Sequence, residues 1–175
     1  MTFHAKLEYT AEDFLNYARI HRRTHQKVML VLRPLIFVLF VGDAAFLMML
    51  AFRYERVDFF DLFLAVLTLA LAVFYFLIDR IRARATLKLR RKTYGEMDLS
   101  FDEEGAAAQS VNFQSQYLYP AFTELFYSRT FETYYLYINK HQAIVLPERC
   151  FTQGDPAAFG PFLTEKTGLE MKEIK

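Results

Sequence analysis

Two long apolar runs separated by six residues constrain this chain more than anything else in it. Over 28–52 it reads VMLVLRPLIFVLFVGDAAFLMMLAF, 25 residues, or about 37 Å of helix at roughly 1.5 Å per residue. Over 59–78 it reads FFDLFLAVLTLALAVFYFLI, 20 residues, or about 30 Å, the thickness of a bilayer's hydrocarbon. Each run is long enough to span, so together they predict a transmembrane hairpin. A cleaved signal peptide does not fit, because the first run starts far from Met1, lacks a small-residue cleavage site and is followed at once by a second span.

Charge sets the orientation. Arg19, Arg22, Arg23, Lys27 and Arg33 flank the start of the first run, and Arg80, Arg82, Arg84, Lys88, Arg90, Arg91 and Lys92 follow the second, whereas the turn carries only Arg53 and Arg56. Positive flanks remain cytoplasmic, which predicts a multi-pass protein with both termini in the cytoplasm. The basic cluster over 80–92 is thereby expected to meet anionic headgroups, first as a topology signal and second as a lipid contact. Residues 1–92 hold 15 basic and 8 acidic side chains, net +7, and residues 93–175 hold 6 and 12, net −6. The overall +1 thus hides two chemically different pieces, and the acidic second piece repels nucleic acid.

Inside the runs, Arg33 can snorkel to the surface and Asp58 and Asp61 fall in the first turn of the second helix, but Asp43 has no such escape. An antiparallel hairpin brings it level with 66–68, where Thr68 is the hydroxyl able to bond it. Asp43 and Thr68 are therefore the intramembrane polar candidates, either as a protonated acid bonded locally or as an ion site or helix contact.

Residues 2–9, TFHAKLEY, alternate apolar and polar as a half-buried strand does. Thr10 followed by Asp13 forms an acidic variant of the capping box before an amphipathic helix. The expected segments are 1–27, this strand and helix, with the strand packing on the C-terminal domain; 28–79, the hairpin; 80–94, a basic juxtamembrane helix; and 95–175, a cytosolic domain. Beyond a helix break at Gly95 the periodicity falls to two. Strands are expected at 97–101, 107–113, 116–119, 122–128, 133–139 and 143–146, with a hairpin loop at Asp102-Glu103-Glu104-Gly105 whose Gly is left-handed. Asp155, Pro156 and Gly168 start and stop a final helix with Phe159, Phe162 and Leu163 on one face. The expected fold class is a membrane α+β protein: the hairpin plus a small antiparallel β domain, a pleckstrin-homology-like half-barrel closed by a C-terminal helix.

Chemistry-bearing groups are few. His21 and His25 stand four apart, but without a third ligand and beside Arg22 and Arg23 they predict no metal site. Cys150, the single cysteine, sits beside Arg149 at a strand end and reads as a packing residue before a nucleophile. The acids over 98–104 fall on a solvated edge and turn. No phosphate-binding glycine loop and no zinc-protease motif occurs. No catalytic residue, metal or cofactor is expected. Tyrosines crowd one small sheet; Tyr117, Tyr119, Tyr135 and Tyr137 are either cross-strand packing or a face for a protein or ligand.

The segments YLYPAFTELF, YYLYI, AIVLPERCF and FGPFLTEKTG, above all the LP-x-R-x-F stretch over 146–151, resemble the YcxB-like family of bacterial membrane proteins. Where that family often has Lys after the proline, this chain has Glu148. The resemblance implies an inner-membrane protein with a cytosolic C-terminal domain and supplies no catalytic residues. The expected function is a membrane-anchored, non-enzymatic interaction or regulatory module whose partners are the bilayer and a protein or its own copies. The alternative is an oligomeric transport or resistance component acting through the hairpin.

Overall fold

The structure, a computed structural model, describes residues 1–53, 59–93 and 96–174. The expected turn at 54–58 with Arg56 and Asp58, the break at Gly95, and the side chains of Arg33, Asp61 and Arg91 lie outside the described residues. The chain forms two compact units, residues 1–20 with 83–175, and residues 21–82.

The first unit is α+β. Its strands are β1 (Phe3–Leu7), β2 (Met97–Phe101), β3 (Gly105–Ser110), β4 (Phe113–Leu118), β5 (Glu124–Ser128), β6 (Thr133–Asn139), β7 (Gln142–Pro147), β8 (Phe151–Gln153) and β9 (Met171–Ile174). They build a five-stranded sheet in the order β4-β3-β2-β1-β8 and a four-stranded sheet in the order β7-β6-β5-β9. All pairings are antiparallel except β5 with β9. The N-terminal strand lies inside the first sheet, with Ala5 opposite Leu99 on one side and Phe151 on the other. Its alternation is literal: Phe3, Ala5 and Leu7 are buried and His4 and Lys6 exposed.

Helix α1 (Ala11–His25) begins on the capping box. The Thr10 amide and hydroxyl donate to Asp13 Oδ2 at 2.7 and 2.9 Å, and the Asp13 amide donates back to Thr10 Oγ1 at 3.3 Å. Three further helices are α2 (Lys27–Arg53), α3 (Phe59–Thr93) and α4 (Pro156–Thr167). Asp155 caps α4 by accepting from the Ala157 amide at 2.9 Å, and Gly168 ends it at φ 69°.

Between the sheets lies one apolar core to which the first sheet contributes Phe3, Leu99 and Phe101, the second Leu125, Leu136 and Leu146, and α4 Phe159, Phe162 and Leu163. On the outer face of the second sheet, Tyr17 and Ile20 of α1 cover Phe126, Tyr135, Tyr137 and Val145. Strand β6 is thus buried on both faces over residues 133–137.

Some details differ from the sequence reading. The β3–β4 turn falls at Val111 and Asn112, earlier than expected, leaving Val111 89% exposed. The loop over 102–105 is an Asx turn, Asp102 Oδ1 accepting from the amides of Glu104 and Gly105 at 2.9 Å each. Gly105 is needed there not for a left-handed backbone but because a Cβ would come within 2.5 Å of the Tyr117 carbonyl oxygen. The chain also continues past α4 into β9, too short and polar to announce itself, which pairs parallel with β5.

In the second unit the stretch Leu30–Leu50 is 21 residues with mean hydropathy 2.1, long and apolar enough to cross a membrane. In α3 the limbs Leu62–Tyr75 and Leu77–Arg90 meet the same standard only when taken together across a 50° bend. The burial in these helices is the reverse of a soluble core. Ala44, Ala65 and Ala72 are buried, while Val38, Phe46, Phe63 and Val66 are more than half exposed. Near its ends Arg22 pairs with Asp79 at 2.8 Å.

Candidate functional site

Strand direction decides which end of the β domain is closed. Helix α4 packs at the Phe101 end of β2 and the Tyr134 end of β6, since Phe159 touches the rings of both at 4.8 and 5.1 Å. The other end of the same strands, at Met97 and Ile138, opens into a cleft of about 120 Å³. Its walls are Leu99 of β2, Ala108 of β3, Phe113 and Tyr117 of β4, and Ile138, Ala143 and Ile144 of the β6–β7 hairpin. Its polar groups are Arg90, Tyr9 and Gln142.

Arg90 reaches the cleft from the last turns of α3, half-buried, with its guanidinium carbon 5.4 Å from the ring centre of Tyr9 and 5.6 Å from that of Phe14. Stacking a cation over two rings is worth about 0.5–2 kcal/mol each, depending on how far it is desolvated. Tyr9 is fixed in turn, its hydroxyl donating to the Val145 carbonyl at 3.0 Å. Burial pushes the Tyr9 hydroxyl far above the ordinary tyrosine range, against the opposing pull of Arg90. Tyr9 is therefore a neutral donor and a platform for the cation rather than an acid or base.

The headgroup candidates divide. Arg80, Arg82, Arg84, Lys88 and Lys92 are exposed, while Arg90 turns into the cleft. The tyrosines do not share a face. Tyr117 lines the cleft, but Tyr119 is buried with its hydroxyl on the Asp102 carbonyl at 2.6 Å and its ring edge-on to Phe162. Tyr135 and Tyr137 are wholly buried under α1, stacked or tilted against Tyr17 at 6.3 Å. Of the two readings offered for these tyrosines, Tyr135 and Tyr137 fit packing, covered by the chain's own helix, and of the four Tyr117 alone lines the cleft.

Asp43 is exposed on α2. Thr68 gives its hydroxyl proton to its own helix, lying 3.0 Å from the Leu64 carbonyl and 3.1 Å from that of Ala65, so it donates nothing to Asp43. His21 and His25 have ring centres 5.3 Å apart, and among the described residues no group of three His, Cys, Asp or Glu is placed to hold a metal.

The LP-x-R-x-F stretch is structural. Arg149 bonds Asp13 of α1 at 2.5 Å, and Glu148 accepts from the Tyr127 hydroxyl at 2.7 Å. Burial and then the Glu148 carboxylate push Tyr127 up to about 12. Cys150 is buried, and burial raises its thiol above the ordinary range, the opposite of what a nucleophile needs. Native Cys150 is accordingly expected to react with iodoacetamide at pH 8 about ten-fold or more slowly than in the unfolded chain. Equal rates in both states would return it to the list of reactive groups.

Sequence reasoning missed Tyr9 and Gln142 and could not separate Arg90 from its basic neighbours. The one available signal was Tyr9, which extends the alternation of the first strand past its last pairing residue.

This is a two-sheet α+β domain with a largely apolar cleft and one cation, Arg90, at its open end. Residues 101–163, from the end of β2 to α4, match the family model described as YcxB-like protein, so this part of the chain is a YcxB-like domain. No curated protein and no solved structure matches the chain.

Proposed function

We propose that the protein is a membrane-anchored, non-enzymatic interaction or regulatory module of the bacterial inner membrane. In this reading α2 and the apolar limb of α3 form the anchoring hairpin, with both termini cytoplasmic and the 80–92 cluster against anionic headgroups. The β domain is then pleckstrin-homology-like. A meander of four strands, a meander of three and a helix after them is that fold's order, here with the hairpin inserted after the first strand and with β8 and β9 added. Its partner is a protein or a second copy of the chain.

The observation that carries the anchor is the inverted burial of the helices. Water would penalise their exposed large side chains by roughly 1.5–3 kcal/mol each, whereas lipid does not. The test uses Lys140→Cys, on an exposed turn, and Arg53→Cys, at the end of α2, in a Cys150→Ser background. A membrane-impermeant maleimide is expected to label position 53 from outside spheroplasts and position 140 only in inverted vesicles. Release of the protein by alkaline carbonate, or labelling of both positions from one side, overturns the reading.

Asp43 favours an oligomer within this reading. An exposed acid mid-way along a membrane helix costs about 2.5–3.5 kcal/mol facing lipid, a cost that a second copy covering it would remove. This also keeps an oligomeric transport or resistance role open to the same hairpin. Asp43→Asn is expected to change the distribution of crosslinked oligomers in membranes; an unchanged distribution removes Asp43 from the contact.

A further inference from the structure

The cleft at the open end of the β domain has the two properties that a ligand with two unlike ends requires. Its walls are Leu99 and Ala108 of the apolar core and Phe113, Ile138 and Ile144, which are partly buried against that core. Its volume, about 120 Å³, is close to that of engineered apolar cavities of roughly 150 Å³ that take up a benzene ring. That is room for a short stretch of alkyl chain and too little for a two-chain lipid body.

At the rim stands Arg90, and its setting is unusual for an arginine. It is half-buried and held over the rings of Tyr9 and Phe14, and among the described residues no carboxylate forms an ion pair with it. Three acids of this domain are engaged with other cations: Asp13 with Arg149, Glu96 with Lys6, Glu103 with Lys166. A partly desolvated guanidinium gains most from an anion that it can grip with two parallel N–H bonds, a carboxylate or a phosphate. The two rings restrict where the guanidinium can sit, which lowers the ordering cost of such a grip.

We propose that this cleft binds an anionic amphiphile, its alkyl end between the sheets against Leu99, Ala108 and Ile144 and its carboxylate or phosphate head on Arg90. The assignment rests on reading the domain as a binding module, not on the membrane anchor. The ligand chemistry has two sources, an anionic lipid of the bilayer entering by one chain or a soluble short-chain acid.

The probe is radiolabelled octanoate, equilibrated with the full-length protein in phosphatidylcholine nanodiscs, with empty discs subtracted. Saturable uptake of one octanoate per chain is expected. Because the head group loses its charged hydrogen bonds, Arg90→Gln should weaken binding by about ten-fold or more, with Arg90→Lys intermediate. Octanol, with the chain but no charge, should not distinguish wild type from Arg90→Gln. Ala108→Leu, which fills the wall and leaves Arg90 in place, should give a comparable loss. Either variant suffices if the other fails to fold. Non-saturable uptake, or saturable uptake indifferent to both Arg90→Gln and Ala108→Leu, overturns the proposal. Displacement of octanoate as phosphatidylglycerol is raised in the discs assigns the site to a bilayer lipid; absence of displacement assigns it to a soluble acid, and both sustain it. Failure here with the labelling pattern intact would remove the site and leave the anchored module standing.

Discussion

Replacing Phe159 by alanine is expected to destabilise the β domain by about 3–5 kcal/mol, the cost of truncating a fully buried aromatic. Phe159 has no exposed surface, and its ring lies 5.1 Å from Phe3, 4.8 Å from Phe101, 5.1 Å from Tyr134 and 5.0 Å from Phe151, all edge-on. Those four partners come from β1, β2, β6 and β8, so one side chain of α4 ties together both sheets and both ends of the sequence. Domains of this size are stable by about 5–15 kcal/mol, and losing about a fifth or more of that should show as faster proteolysis. The check is limited proteolysis of membranes bearing the full-length protein. Phe159→Ala should lose the protected C-terminal fragment while fragments of the apolar helices α2 and α3 persist, and Phe159→Leu should keep most of the protection. A Phe159→Ala domain as resistant as wild type would mean that the two sheets do not share this core.

Much of this arrangement is legible in the residues themselves, and what is not has physical reasons. The alternation of Phe3, Ala5 and Leu7 against His4 and Lys6 identifies a strand, and Asp155 and Gly168 mark both ends of α4, because period and cap chemistry are local properties. The partner of a strand is not local. That Ala5 faces both Leu99 and Phe151 across the inserted helices, and that β9 returns to β5 in parallel, depends on contacts the sequence separates widely. The tyrosines show a second limit. Alternation places Tyr135 and Tyr137 on one face, but whether water or a helix lies over it is decided by α1, more than a hundred residues earlier. Arg90 illustrates the same point, since in sequence it is one cation in a run and only the position of Tyr9 and Phe14 singles it out.

The coupling of Asp13 to Arg149 should be the next largest effect and the one most particular to this chain. Asp13 is 6% exposed and accepts from Arg149 while closing the capping box of α1. Removing one member of a buried pair costs about 3–5 kcal/mol, and exposed pairs contribute about 0–1. The Arg149 side chain is 50% exposed, which places Arg149→Ala between these limits, at about 1.5–3 kcal/mol. Asp13→Ala loses the same pair and in addition the reciprocal bonds to Thr10, a cap contribution of about 1 kcal/mol, so it should be the more damaging of the two. Combining the substitutions should cost less than their sum by about 1–2 kcal/mol, because the second removes a charge the first has already left unpaired. Thermal unfolding of the four proteins in one detergent measures this, at about 2–4 °C per kcal/mol for a chain of this length. Strict additivity would mean that Arg149 and Asp13 act independently. Coupling of the expected size would make the arginine of the LP-x-R-x-F stretch the clamp that holds α1 over Tyr135 and Tyr137, and with it the strand that carries Tyr9 to the cleft.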